Sequence, residues 1–250
     1  MDRDPDSTRT RRSSLLGGFL VLTAALSVVS IVAMVRSLVA MTYLNIHFHA
    51  EVDPFSRAVS YYVFYGDGRE VFATAVTVLA GGTLTMLLGL RVAGLRLGVR
   101  AGAFFGVWCT SLTLCAIFPT DNSKSITSVS GLIHQVAGAS LFVSLPLAGM
   151  ALAKRLVGDL RWTHVGQVVR RMALVAMALA AAYLATRLPD IFPSLAMPGI
   201  LDGRGVSGLV QHALFGLETL MLMALAVHLL RVTVSTARGR GEPARAEATG

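Results

Sequence analysis

A chain of 250 residues in which 54% are hydrophobic and only 14% are charged does not have the composition of an ordinary soluble domain. Such domains carry charges on roughly a quarter of their residues. The mean hydropathy is +0.65. The composition also excludes disordered, collagen-like and disulfide-rich chains, the last because there are only 2 cysteines. We therefore expect an all-α protein that crosses a membrane several times.

Six apolar stretches approach or exceed the roughly 20 residues that a helix needs to cross a bilayer. Helices are expected because lipid offers no water to bond an open backbone. The predicted six-helix domain covers 15–230, between disordered tails at 1–14 and 231–250. The first stretch is too long for a cleaved export signal. In chain order the stretches are 15–35, 71–90, 101–118, 132–153, 172–186 and 206–230.

Most basic residues lie in the segments on one side of the predicted membrane. The two tails and the second and fourth connections hold 16 of the 22 lysines and arginines. The positive-inside rule predicts that this side, with both termini, is cytoplasmic, in a multi-pass protein of the plasma membrane. The net charge of +8 is thus explained by topology, and we expect no nucleic-acid partner.

The outer connections have their own features. The apolar piece 38–48 either extends the first helix or lies along the outer interface. Pro119 and Pro193 are expected to end the third and fifth helices, because proline lacks the amide and restricts the residue before it. Residues 117–119 and 129–135 are echoed by 191–193 and 206–212, which predicts that helices three and four and helices five and six are parallel repeats of one hairpin.

Polar residues inside apolar stretches are candidates for function because lipid makes them costly. His134 on helix four and His212 on helix six lie near the outer leaflet. At 100° per residue, we expect both histidines to face the bundle, with Gln211 and Glu218 on an adjacent face of helix six. Asp121 follows Pro119 and is placed to reach the start of helix four. Alternatively, these side chains bond to one another or to the backbone and only fix helix packing.

No His-x-x-x-His, His-Glu-x-x-His or Cys-x-x-Cys motif is present, so the sequence assigns no metal. A haem between the two histidines has no motif behind it either, and any cofactor stays unknown. The chain also lacks nucleotide-binding loops and the signatures of common hydrolases and kinases.

Two outer stretches carry a family resemblance. Phe118-Pro119-Thr120-Asp121 followed by His134, together with Ser56-Arg57-Ala58-Val59-Ser60-Tyr61, resemble the bacterial membrane family known as domain of unknown function 998. The resemblance spans about 15–230. It implies a multi-helix integral membrane protein and no assigned activity.

Three functions therefore remain open. The first is binding of a small molecule or lipid headgroup in an outer cavity lined by Asp121, His134, Gln211, His212 and Glu218. The second is a membrane-embedded hydrolase or lipid-modifying enzyme, with Asp121, His134 and His212 as acid-base or metal-binding groups. The third is a small transporter in which Glu218 couples transport to protons. The sequence does not decide whether the protein is an enzyme or what its oligomeric state is. Its expected partners are membrane lipids and, in the first of these functions, a small-molecule or lipid ligand.

Overall fold

The fold is a bundle of six long helices. A computed structural model describes residues 5–123, 126–191 and 203–247, with side chains over 16–123, 126–187 and 205–239. Each helix contains a stretch long and apolar enough to cross a membrane. The prediction of an all-helical protein with six spans is confirmed. The helices are α1 (Pro5–His47), α2 (Gly68–Val92), α3 (Val99–Ile117), α4 (Val129–Leu156), α5 (Thr163–Ile191) and α6 (Ser207–Glu247).

Helix ends follow local backbone chemistry. α2 ends in a turn where Gly94 has a φ of 86° and Leu95 N donates to Leu90 O at 3.0 Å. That left-handed conformation is one that glycine adopts without strain. α3 ends at Ile117, and Phe118 is extended because Pro119 follows it.

The outermost helices are longer than the sequence predicts. α1 continues to His47, so the piece 38–48 extends the first helix and does not lie along the interface. α1 begins at Pro5 and α6 ends at Glu247, which makes the backbone helical through most of the two segments predicted as disordered tails. Pro193 lies outside the described residues, as do 192–202, so the internal repeat stays a prediction.

The helices form a closed ring. Each packs against the next along the chain, and α1 packs against α6; α6 also touches α2 and α4. We call the face where α1 begins and α6 ends, which also holds the connections 93–98 and 157–162, the tail face. The opposite face, which holds the short 3-10 helix Val59–Phe64 and the connection after α3, is called the loop face.

Most hydroxyl groups within the helices bond to their own backbone. Ser27 Oγ donates to Thr23 O at 2.7 Å, Ser30 Oγ to Leu26 O at 2.7 Å and Thr83 Oγ1 to Leu79 O at 2.8 Å. These bonds satisfy polar groups that lipid and packed side chains cannot. Among the described residues, polar atoms that are buried without such a partner are few: Ser37 Oγ, Trp108 Nε1, His212 Nε2 and both carboxyl oxygens of Glu218.

Candidate functional site

Asp121 organises the start of α4. Its carboxylate accepts hydrogen bonds from Thr127 N at 2.8 Å, from Ser128 N at 3.1 Å and from Ser128 Oγ at 2.6 Å. The Ser128 hydroxyl oxygen in turn accepts from Gly131 N at 2.9 Å, as an N-cap residue does. These bonds hold the pKa of Asp121 below its usual value, and the bond from Ser128 Oγ has the largest effect. Asp121 therefore reaches α4, as its position in the sequence predicts, and its acceptor sites are used in capping.

The residue of α4 that lies against the Asp121 carboxylate is Gly131, and the reason is steric. A Cβ on Gly131 would overlap the Asp121 carboxylate, with Oδ1 only 2.9 Å away. The first turn of α4 can approach this carboxylate because it carries no side chain there.

His134 lies one turn further into α4 and is 6% exposed. Its Nδ1 is 2.8 Å from Phe118 O, and since a carbonyl can only accept, Nδ1 carries the hydrogen. In the neutral ring Nε2 is then an acceptor, and it makes no hydrogen bond within the described part of the chain. The ring lies beside Phe72, at 6.4 Å between centroids. His134 thus offers one basic nitrogen to its surroundings.

Gln211 joins three elements at the loop-face end of the bundle. Its Oε1 accepts from Val59 N at 3.0 Å, and its Nε2 donates to the Tyr183 hydroxyl oxygen at 3.2 Å. The side chain is 9% exposed. Sequence reasoning selected Gln211 as a polar residue in an apolar helix, but its partner Val59 is 152 residues away. No local pattern could have identified that contact.

His212 differs from His134. Its Nδ1 donates to Gly208 O of its own helix at 2.7 Å, and its Nε2 is buried without a partner among the described residues. His212 lies on a less buried side of α6, since Leu220, eight residues further along the same side of the helix, is 48% exposed. The buried face of α6 is instead the one that carries Gln211 and Glu218, because it is α6's contacts with α1, α4 and α5 that decide its orientation.

A small cavity is enclosed by α1, α2, α3, α4, α6 and the short 3-10 helix. Its volume is about 50 Å³, and His134 and Gln211 are the two predicted site residues that line it. Asp121, His212 and Glu218 do not. Aromatic rings make up much of the wall, and Gly138 leaves part of it open. The aromatic lining residues are Phe72, Phe142 and Phe215.

The loop-face connections meet around this cavity. Val59 and Ser60 line it together with His134. Tyr61 O–H donates to Ser123 O at 3.0 Å, which ties the first outer connection to the second. Both stretches that carry the family resemblance therefore contribute to the same place.

The segment after α1 also closes over the start of α6. Leu209 N donates to Phe55 O at 2.9 Å, and a Cβ on Gly208 would lie 2.6 Å from Pro54 O. Asp53 shapes this segment: it accepts hydrogen bonds from Ser56 Oγ at 2.7 Å and from Phe55 N at 3.1 Å, which lower its pKa. The N-terminal end of α6 is held by backbone contacts.

Glu218 lies deeper on the same face of α6 as Gln211, seven residues further along. It is 0% exposed, and neither carboxyl oxygen has a hydrogen-bond partner within the described residues. Sequence reasoning identified Glu218 as the costliest residue to leave ionised, and its complete burial gives that argument a structural basis.

Ser37 of α1 lies at the depth of Glu218. A Cβ on Gly89 would be 2.9 Å from Leu229 Cδ2 and 3.4 Å from Leu26 Cβ, so these two leucines lie at one level on neighbouring antiparallel helices. Counting eleven residues from each toward the loop face reaches Ser37 and Glu218. Ser37 is also fully buried, with an unpartnered hydroxyl in this part of the structure.

The described ranges contain no cluster of side chains suited to bind a metal ion. No group of three or more His, Cys, Asp or Glu side chains lies together in 16–123, 126–187 and 205–239. The nature of any cofactor stays open.

Comparison with known proteins places the chain in a family. Residues 31–228 match the family described as protein of unknown function DUF998, and the chain belongs to it. Neither the curated proteins nor the solved structures contain a significant match.

Proposed function

We propose that this integral membrane protein is proton-linked, and that Glu218 binds and releases a proton within the membrane as part of a transport cycle. The observation that carries the proposal is the complete burial of an acid with two unpartnered oxygens, halfway along the apolar part of α6. An intramembrane ionisable residue marks a functional site by default.

Solvation energy supports a proton as the ligand. Moving a carboxylate from water into a medium of low dielectric costs several kcal/mol even after relaxation, unless a counter-charge is present. Neutral acids avoid most of that cost. Arg161 pairs with Asp159 in the connection between α4 and α5, whereas neither carboxyl oxygen of Glu218 has a partner among the described residues. Protonation is thus the simplest way for Glu218 to occupy its position.

Binding of an organic ligand or a lipid headgroup has weaker support. The cavity beside His134 measures about 50 Å³, whereas ligand pockets typically enclose several hundred Å³. Asp121 is occupied in capping α4, and His212 does not line the cavity. The same arrangement gives an acid-base or metal-dependent hydrolase no convergent set of groups.

Labelling with dicyclohexylcarbodiimide tests the proposal. This apolar reagent takes the proton of a neutral carboxylic acid, and the carboxylate adds to its central carbon, giving an adduct that rearranges to a stable N-acylurea. We expect mass spectrometry to find the adduct on the peptide that contains Glu218, with less labelling as pH rises. The matched variant Glu218→Gln should lose this adduct while keeping its yield and its elution as folded protein.

Exposed acids provide an internal control. Asp67 and Glu70 lie at the start of α2, where the reagent partitions poorly, and they should stay unlabelled. If Glu218 stays unlabelled in folded protein at every pH but reacts after unfolding, the proposal is wrong.

A further inference from the structure

We propose that Glu218 exchanges its proton with the loop face through the cavity beside His134, and that the ring of Phe215 separates the cavity from the acid. This inference rests on the proposed function and adds to it a direction and a route.

The position of the cavity supports the route. Its wall includes Val59 and Ser60 of the loop-face 3-10 helix, His134 of α4 and Phe215 of α6. Phe215 lies three residues before Glu218, a rise of about 4.5 Å along a helix. The cavity therefore ends about one helical turn above the acid, and Phe215 is the lining residue of α6 that lies nearest to Glu218 in the sequence.

His134 supplies a proton carrier on this route. Its Nδ1–H is fixed on Phe118 O, which leaves the Nε2 lone pair as the basic position. Water in liquid occupies about 30 Å³ per molecule, so a cavity of about 50 Å³ has room for one or two. A hydronium ion at the loop face transfers a proton to Nε2, which forms the N–H bond and leaves a water molecule. The imidazolium then gives that proton to a cavity water, and the resulting hydronium passes one to the Glu218 carboxylate when Phe215 moves aside.

Packing below Glu218 opposes a route to the tail face. The buried positions of α6 in that direction are mostly apolar: Met221 is 1% exposed, and Leu222, Leu225, Ala226 and Leu229 are each 0% exposed. Thr219 is also 0% exposed, and its hydroxyl donates to Phe215 O at 2.9 Å. Leu152 and Leu156 on α4 are also 0% exposed. The Thr219 hydroxyl is thus bonded to its own backbone, and the apolar side chains named here have no group that can carry a proton.

Within the described residues, the titratable groups of the surrounding helices make no hydrogen bond or ion pair with Glu218. Arg36 of α1 is exposed, and α2 has its charges at its ends. The remaining groups are Tyr43 and His47 on α1, Lys154 and Arg155 on α4, His164, Arg170, Arg171, Tyr183 and Arg187 on α5, and His212, His228, Arg231 and Arg238 on α6.

The test uses carbodiimide labelling of Glu218 in sealed vesicles whose two faces are held at different pH. Vesicle orientation is established by protease cleavage of a tag at the C-terminus. We expect labelling to fall when the loop-face pH is raised and to ignore the pH of the tail face. Dependence on the tail-face pH alone would overturn the inference.

Two glycines allow a matched comparison. Gly138 lines the cavity, and a Cβ there would meet nothing within 4 Å. Gly102 on α3 is equally open but does not line the cavity. With a sub-saturating reagent and a brief loop-face pH step, Gly138→Leu should slow the change in labelling several-fold, whereas Gly102→Leu should follow the unaltered protein. Equal rates in the two variants would contradict the route.

Phe215→Ala gives a variant with the opposite effect. Removing the ring should speed the response to a loop-face pH step several-fold, and unchanged kinetics would exclude Phe215 as the barrier. If Gly138→Leu does not fold, two results still test the route: the kinetics of Phe215→Ala, and the dependence of labelling on the pH of each face in the unaltered protein. Failure of the proposed function looks different, since Glu218 would then carry no adduct in the folded protein at any pH on either face.

Discussion

Asp121 acts through backbone hydrogen bonds at the first turn of α4, which separates its role from that of the histidines. Replacing it by asparagine keeps the size but removes the charge that Thr127 N and Ser128 N bond to. We expect Asp121→Asn to lower the melting temperature at neutral pH. Asp67→Asn is the control, since Asp67 precedes α2 without making a side-chain cap bond.

The pH dependence of this effect has a definite sign. The pKa of Asp121 is lower in the folded protein than its ordinary 3.8, so the charged form stabilises the fold above that value. The contribution is lost as pH falls from 3.8 through the folded pKa. Melting curves of the unaltered protein and of Asp121→Asn should therefore converge in acid. A difference that stays constant down to the lowest accessible pH would contradict the capping role.

Single side chains also show what the sequence could and could not predict. His134, Gln211 and Glu218 stand out as polar residues in apolar helices, and all three are buried. The spacing of 100° per residue gave the angle between His212 and Glu218 but not which of the two faces the bundle. That depends on the neighbouring helices: Gln211 and Glu218 are buried against them, whereas Leu220, on the same side of α6 as His212, is exposed.

At the scale of elements, the contact between the segment after α1 and the start of α6 is backbone against backbone. A Cβ on Gly208 would lie 2.6 Å from Pro54 O and 2.7 Å from Arg57 N. Gly208→Ala should therefore push the segment outward and lower the free energy of unfolding by about 1–3 kcal/mol, the usual range for overpacking. Denaturation in detergent measures this change.

Gly216 on the same helix provides the matched control. A Cβ there meets nothing within 4 Å, so Gly216→Ala should leave stability unchanged or raise it slightly. Equal stabilities for the two variants would mean that the segment adapts to the added methyl group without loss.

The positions of the six helices could be predicted from the sequence because each helix contains a long apolar stretch. Each predicted apolar stretch lies within or largely overlaps a helix of the structure. Their ends were less predictable, since α1 runs through 38–48 to His47. The sequence favoured neither of the two alternatives there, because an apolar helix suits both the membrane and its surface.

At the scale of the whole molecule, the ring of six helices places the acid and its proposed route on one axis. The cavity occupies the loop-face half, and leucines close the half toward the tail face. The basic connections at 93–98 and 157–162 lie on the tail face, where α1 begins and α6 ends. By the positive-inside rule that face is predicted to be cytoplasmic, so the proton would enter from outside.

The central claim is that Glu218 is neutral inside the membrane. Infrared spectroscopy of the reconstituted protein tests this claim most directly. The carbonyl stretch of a protonated carboxyl is separate from the carboxylate bands, and Asp53 and Asp121, whose pKa values are lowered, should not contribute to it at neutral pH. We predict a carboxylic-acid band at neutral pH that disappears in Glu218→Gln. An unchanged band in that variant, or no acid band in the unaltered protein, would contradict the account.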